Sequence, residues 1–244
     1  MHLLRQTFVA RAGLRAGLAL FLGLVVGVGT AVGGETTALF DGKDLDGWRP
    51  LGGRGPMQWQ VGQASLDPAD PTKLVVTQPG EELICPRRGV NLSSVERFGD
   101  CHLELEFMVS KGSNSGVKMM NIYEIQILDS YGKSQVGIQD CGAVYDENAP
   151  LVNATRPPGE WQTLVIDFRA PRFDAAGHKT ANAKFVRVVL NGQVVQRNVE
   201  IAHGTNVSRH APEHPTGPIY LQGDHGPVAF RHLRVRPLDE AGTR

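Results

Sequence analysis

Residues 114–130 read NSGVKMMNIYEIQILDS, and the reading of this stretch decides the fold. Side chains along a β-strand point alternately to opposite faces, so Ile122, Glu124, Gln126 and Leu128 share one face and Tyr123, Ile125 and Ile127 the other. The second face is wholly apolar or aromatic and suits a core. The first carries a carboxylate and an amide two residues apart, which a buried face does not accept without a reason. The choice lies between a plain solvent face and a polar face looking into a ligand-binding concavity. The glycine-bearing stretch KGSNSGVK (111–118) just before it reads as a polar turn, and Asp129 follows it.

The same alternation recurs along the chain. In CHLELEFMVS (101–110), Leu103, Leu105 and Phe107 alternate with Glu104 and Glu106. WQTLVIDF, KFVRVVL, GPIYLQG and VAFRHLRVRPL continue the pattern, and no long segment has a 3.6-residue period. Asn191-Gly192 between two apolar runs predicts a two-residue hairpin, because both central positions of a type I′ turn need positive φ. Residues 169–183 form a polar excursion long enough to be either a functional loop or a solvated connection. The expected fold is all-β: two stacked antiparallel sheets, a sandwich whose outer face is concave.

Bulk properties narrow the partners. Twenty-five basic and 25 acidic residues leave no net charge to attract nucleic acid or an acidic membrane. With 29 glycines, 15 prolines and 41% apolar residues among 244, the chain suits a turn-rich β domain with one core. Residues 1–33 carry Arg5, Arg11 and Arg15 ahead of the apolar run AGLALFLGLVVGVGTAV, the pattern of an export signal cleaved after Ala31 or Gly33. Export to the periplasm or beyond is the expectation, with no stable membrane anchor after cleavage. One domain is expected over 38–238, followed by a short tail at 239–244. Three cysteines, Cys85, Cys101 and Cys141, make an odd count, compatible with one bridge and one free thiol in an oxidising compartment, and their spacing is not that of a zinc site.

Familiar catalytic motifs are missing. The sequence has no dinucleotide or phosphate-binding glycine loop, no G-x-S-x-G and no H-E-x-x-H. Three sets of polar residues stand out instead. Glu124 and Gln126 form the first. In LQGDHGP (221–227), Gln222 and Asp224 share a face and His225 sits near a sheet end beside a carboxylate, an arrangement suited to a general acid or base because histidine ordinarily titrates near neutrality. In YDENAPLVNATRPPGEW (145–161), Tyr145, Asn148 and Trp161 are residue types that stack on sugar rings or bond to their hydroxyls, although Trp161 also reads as the start of a core strand.

Five ordered motifs together resemble the 3-keto-disaccharide hydrolase family: ALFDGKDLDGW; SNSGVKMM with YEIQILDSYG; GAVYDENAP with PPGEWQTL; RFDAAGHKTANAKFVRVVLNG; and GPIYLQGDHGPVAFRHLRVRPL. They span nearly the whole of 38–238. The resemblance implies a concanavalin-like jelly-roll sandwich, export, and action on 3-keto-glycosides, small carbohydrates already oxidised at C3. Cleavage would proceed by hydrolysis, or by elimination across C1 and C2 followed by hydration. A C3 ketone acidifies the C2 proton, so one base, one acid and one stabiliser of the enolate oxygen suffice. Glu124 or His225 would be the base and the other the acid, with Asn114, Lys118 or Gln126 binding keto or hydroxyl oxygens. No cofactor is required by the sequence. A divalent metal is compatible with the chemistry, and its candidate ligands are Glu124, Asp129 and His225. The competing reading is a non-catalytic carbohydrate-binding sandwich using the same concave sheet, since this architecture serves binding as readily as catalysis.

Overall fold

The computed structural model describes residues 34–53 and 55–238, so the expected export signal at 1–33 and the tail at 239–244 lie outside the described residues. The strands in chain order are β1 (Thr37–Ala38), β2 (Trp48–Gly53), β3 (Gln60–Leu66), β4 (Leu74–Cys85), β5 (Val90–Phe98), β6 (Cys101–Val109), β7 (Asn114–Met119), β8 (Tyr123–Leu128), β9 (Gln162–Arg169), β10 (Arg172–Phe173), β11 (Lys179–Ala181), β12 (Ala183–Leu190), β13 (Gln193–Ile201), β14 (Gly217–Leu221) and β15 (Val228–Pro237). Among the described residues the one helical element is a single 3-10 turn at Asn206–Ser208. The all-β expectation holds.

The strands form two antiparallel sheets. The larger runs β13-β12-β9-β6-β15-β4-β3, with β1 added on β15, and the smaller runs β2-β5-β14-β7-β8. Alternation decides what lies between them. Leu103, Leu105 and Phe107 of β6, Ile166 and Phe168 of β9 and Phe230 of β15 meet Tyr123, Ile125 and Ile127 of β8, Val117 and Met119 of β7 and Ile219 and Leu221 of β14, all buried in one cluster. Aromatic rings bridge the layers: Tyr123 stands 5.4 Å from Phe168, which stands 5.3 Å from Phe185. Tilted pairs at this spacing contribute about 0.5–1.5 kcal/mol each beyond the area they bury. The indoles of Trp48 and Trp59 are buried without an orphaned donor, because each ring N–H reaches a backbone oxygen, Leu39 and Val90, at 2.8 Å.

Local signals behave as their chemistry requires. Asn191 and Gly192 have φ of 50° and 80°, and they join β12 to β13 as the hairpin reading demands. The polar excursion at 169–183 is not a free loop: β10 pairs with β11 as a small ribbon. Lys179 at its base holds Glu213 at 2.7 Å, and Glu213 in turn accepts a hydrogen bond from the Tyr123 hydroxyl. That chain of contacts ties the ribbon to β8, so it braces the sandwich. The stretch 111–118 is a turn only as far as Ser113, since β7 begins at Asn114 and Gly116 lies inside it. All three cysteines are buried and unpaired, and burial pushes each thiol up to about 12. The bridge compatible with the sequence is not formed.

Candidate active site

The outer face of the smaller sheet is where the polar side of β8 points. Pairing register places Arg49, Ser93, Tyr220, Lys118 and Glu124 directly opposite one another, one from each strand, in a single row across the sheet. Ser93, Tyr220, Lys118 and Glu124 are all less than a tenth exposed. In the adjacent row Gly116 faces Gln126, and Gly116 O accepts the Gln222 N–H at 2.9 Å. Gly116 has no side chain, which leaves room over β7 beside the Glu124 strand. The Glu124 carboxylate occupies part of that space: a Cβ added at Gly116 would lie 2.3 Å from Glu124 Oε1.

The chain around this space is built to bury a polar row. Residues 142–145 run along the free edge of β8: Gln126 N–H donates to Ala143 O, Gly142 N–H to Gln126 O, and Tyr145 N–H to Glu124 O. This pairing satisfies backbone groups that would otherwise be lost under the segment, and it sets Tyr145 beside Glu124. Glu124 N–H donates to Thr205 Oγ1 at 3.1 Å. The Tyr145 hydroxyl accepts from the Asn206 side chain. On the other side, Asn91 Oδ1 accepts the N–H groups of Gly223 and Asp224, at 2.8 and 3.2 Å, and fixes the loop that carries Asp224 and His225. Gly223 is required there, because a Cβ would stand 2.5 Å from Val90 O and 2.8 Å from the Trp59 indole nitrogen.

The electrostatics follow from that burial. Lys118 Nζ lies 3.1 Å from Glu124 Oε2, both side chains being almost fully buried, and 5.2 Å from the centroid of the Tyr220 ring. Burial pushes the Glu124 carboxyl up, and the opposing pull of Lys118 and of the nearby His225 charge does not cancel it. The result is a carboxylate with enhanced proton affinity. Tyr220 is also held up, by burial first and then by the Asp224 and Glu124 charges, so its hydroxyl stays a donor. Asp224 Oδ1 lies 2.6 Å from His225 Nδ1, which orients the ring and leaves Nε2 for exchange with a ligand. Gln222 Oε1 is buried with no hydrogen-bond partner, the one such side-chain atom among the described residues.

Several sequence-derived candidates therefore come together here: Glu124, Lys118, Gln126, Gln222, Asp224, His225 and Tyr145. Asn114 stands at the edge of the group, where its Oδ1 accepts a long 3.4 Å bond from Gln126 Nε2, which also donates to Gln139 O. Three others are placed elsewhere. Asn148 donates to Gln196 Oε1 at 2.7 Å and to Ala149 O, a brace for its own loop. Trp161 packs against Ala64, Leu74, Ile84, Met108 and Ala229, and the Arg231 guanidinium lies 4.1 Å over its ring. Met108 and Ala229 alternate with core-facing Phe107 and Phe230, so Trp161 covers the outer face of the larger sheet and does not stack on a ligand at this site. Asp129 accepts the N–H groups of Gly112 and Tyr131 and closes a turn. With Asp129 so occupied, Glu124 paired to Lys118 and His225 Nδ1 paired to Asp224, the three metal candidates do not form a ligand set, and no cluster of three or more such side chains occurs among the described residues. Sequence reasoning missed Tyr220 and Gly116. Tyr220 was readable from the alternation Tyr220, Gln222, Asp224.

A cleft of about 1010 Å³ lies away from this row, between the Gln78–Glu82 bulge and Arg231–Arg234. Its charges are matched to one another, Arg231 to Glu106 at 2.6 Å and to Glu82 at 3.5 Å, as cross-strand pairs bracing the sheet. The chemistry therefore points to the smaller sheet, which carries the Lys118–Glu124 pair, the Asp224–His225 pair and the orphaned Gln222 amide.

A β-sandwich of this kind serves binding as readily as catalysis, so its class is read from the proteins it resembles. Residues 35–236 match the family described as a 3-keto-alpha-glucoside-1,2-lyase-like domain, and the chain belongs to that family. Among solved structures it is similar to a protein of Parabacteroides distasonis ATCC 8503 described as a "putative glycosyl hydrolase", with 28% identity over 83% of this chain and 84% of that one and a TM-score of 0.65. A second protein of the same organism and description is 17% identical over 84% and 94% of the two chains, with a TM-score of 0.57, and shares the fold. No curated protein matches the chain.

Proposed function

We propose that this chain is an exported enzyme that cleaves 3-keto-glycosides by removing the C2 proton. Glu124 is the base. The observation that carries this reading is a buried carboxylate whose proton affinity is raised by its surroundings, leaning over side-chain-free Gly116 and influenced by the His225 charge. Glu124 takes the C2 proton, and the C–H electron pair forms the C2=C3 bond as the carbonyl pair moves to O3. When those electrons return, a C1=C2 bond forms and the C1–O bond breaks. His225, oriented by Asp224, gives the departing oxygen its proton, and water then adds at C1 to complete the hydrolysis. Gln222 and Tyr220 would bond sugar hydroxyls; what supports this is that one is an acceptor without a partner and the other a neutral phenol.

The test is Glu124→Gln, which keeps the shape and removes the base. Turnover of a 3-keto-disaccharide should vanish while its binding, measured by calorimetry, persists. Loss of binding together with turnover in a folded variant would remove the base assignment. Export is tested by sequencing the N-terminus of periplasmic material: a start near residue 32 or 34 supports it, and an intact Met1 contradicts it.

A further inference from the structure

Removal of a proton beside a ketone puts a full negative charge on an oxygen inside a dry site. In enzymes of this kind a bound cation or a set of fixed donors must meet that charge. Of the three side chains that suited a divalent cation in the sequence, Asp129 does not join Glu124 and His225, as it is spent on the N–H groups of Gly112 and Tyr131. A cation nevertheless stands in the row. The Lys118 ammonium is 3.1 Å from Glu124 Oε2 and flanked on its other side by the face of Tyr220, and its side chain is 7% exposed.

A buried ion pair is expensive to create and more expensive to break, since removing one partner leaves an uncompensated charge. That cost becomes useful at the moment of reaction. When Glu124 accepts the C2 proton it becomes neutral and Lys118 loses its ionic partner. In the same step the charge that left the carboxylate appears on O3. The site holds one positive and one negative charge before the step and one of each after it.

We propose that the Lys118 ammonium is the cation that stabilises the enolate in this enzyme, in the place where a divalent metal would otherwise act. The proposal rests on the C2-abstraction reading above. Lys118 Nζ donates a hydrogen bond to O3 as its bond to Glu124 weakens, and it returns to Glu124 when the carboxylate is restored. It is thus a catalytic residue with a pre-positioned charge, and the ring of Tyr220 holds the ammonium against solvent on the side away from Glu124.

The experiment measures exchange of the C2 proton of methyl 3-keto-glucosides of both anomers in heavy water by NMR, which reports the proton step separately from bond cleavage. The protein is used after dialysis against a strong chelator. Wild type should exchange at its untreated rate, and Lys118→Ala should be slower by about 100- to 1000-fold, the usual loss when one charged or donor group leaves a developing oxyanion. Added ethylammonium should restore exchange to Lys118→Ala saturably, which no structural role of the lysine would produce. The inference is overturned if the chelator abolishes wild-type exchange and a divalent cation restores it, or if folded Lys118→Ala exchanges like wild type. If Lys118→Ala fails to fold by circular dichroism, the wild-type chelator measurement decides alone. Absence of exchange in wild type under every condition would sink the C2-abstraction reading itself, and this inference with it.

Discussion

The Glu124 carboxylate fills the space that a side chain on Gly116 would take: a Cβ on the glycine would lie 2.3 Å from Glu124 Oε1. The missing side chain on β7 is what allows the carboxylate on β8 to lean over the sheet. Lys118 pins that carboxylate from the same row, so it cannot swing freely aside.

Gly116→Ala should therefore displace the base while leaving the strand intact, since its φ lies outside the left-handed region where only glycine is at ease. A shift of about 1 Å in a catalytic group costs on the order of 100-fold in rate. The expected outcome is a loss of that size in kcat with a cooperative thermal transition retained. Turnover within a few-fold of wild type would show that the Glu124 carboxylate over Gly116 is not where the chemistry occurs.

Gln222 carries an acceptor with nothing to accept from. An orphaned buried group of this type costs about 1–3 kcal/mol, and a ligand hydroxyl that satisfies it recovers part of that. Gln222→Ala should raise KM for a 3-keto-glycoside by about tenfold, which is about 1.4 kcal/mol, with kcat changed much less. Its thermal stability should not fall. An unchanged KM would place the sugar elsewhere.

The larger sheet carries a pH-dependent element remote from the site. His102 on β6 faces Asp167 on β9, with Nδ1 2.5 Å from Asp167 Oδ1 and Nε2 2.7 Å from Glu104 Oε1. The Asp167 bond raises the imidazole above its ordinary value, burial opposing and Glu104 assisting. Burial pushes Asp167 up, but His102 and Arg187 outweigh it and hold the carboxyl below its ordinary range. A raised histidine stabilises fully below its unfolded value, about 6.5, and loses that contribution as pH climbs through the folded value. A lowered aspartate stabilises above about 4 and loses its contribution as pH falls through its folded value. Together they favour the folded state most at mildly acidic pH. Melting temperature should decline from pH 6 towards pH 9 in wild type, and His102→Gln should flatten that limb without altering KM. An equal alkaline decline in the variant would assign the slope to other groups.

The sandwich could be read from the chain because alternation is a local property: Tyr123, Ile125 and Ile127 declare the core face, and Glu124 and Gln126 must then face the other way. The depth of that polar face could not. Glu124 is 3% exposed because residues 142–145 pair along the edge of β8 and the loop after β14 is anchored to β5, both long-range arrangements. Gly116 looked like turn punctuation, since glycine most often marks a turn; inside β7 it marks a close approach of the Glu124 side chain. Trp161 and Asn148 have the chemistry of sugar contacts, but which surface each covers depends on strand order, and for Trp161 that order sets β15 between β6 and β4 across more than a hundred residues of sequence. Lys118 was visible as a residue, and only the register opposite Glu124 turned it into an ion pair.

The central claim is that Glu124 removes the C2 proton of a 3-keto-sugar. Its most direct test is NMR of the wild-type protein with 3-keto-trehalose and 3-keto-glucosides of both anomers in heavy water. The expected result is release of the aglycone with deuterium at C2 of the sugar. Saturable binding of the same sugars without deuterium incorporation or product would contradict it, and would make the chain a carbohydrate-binding sandwich.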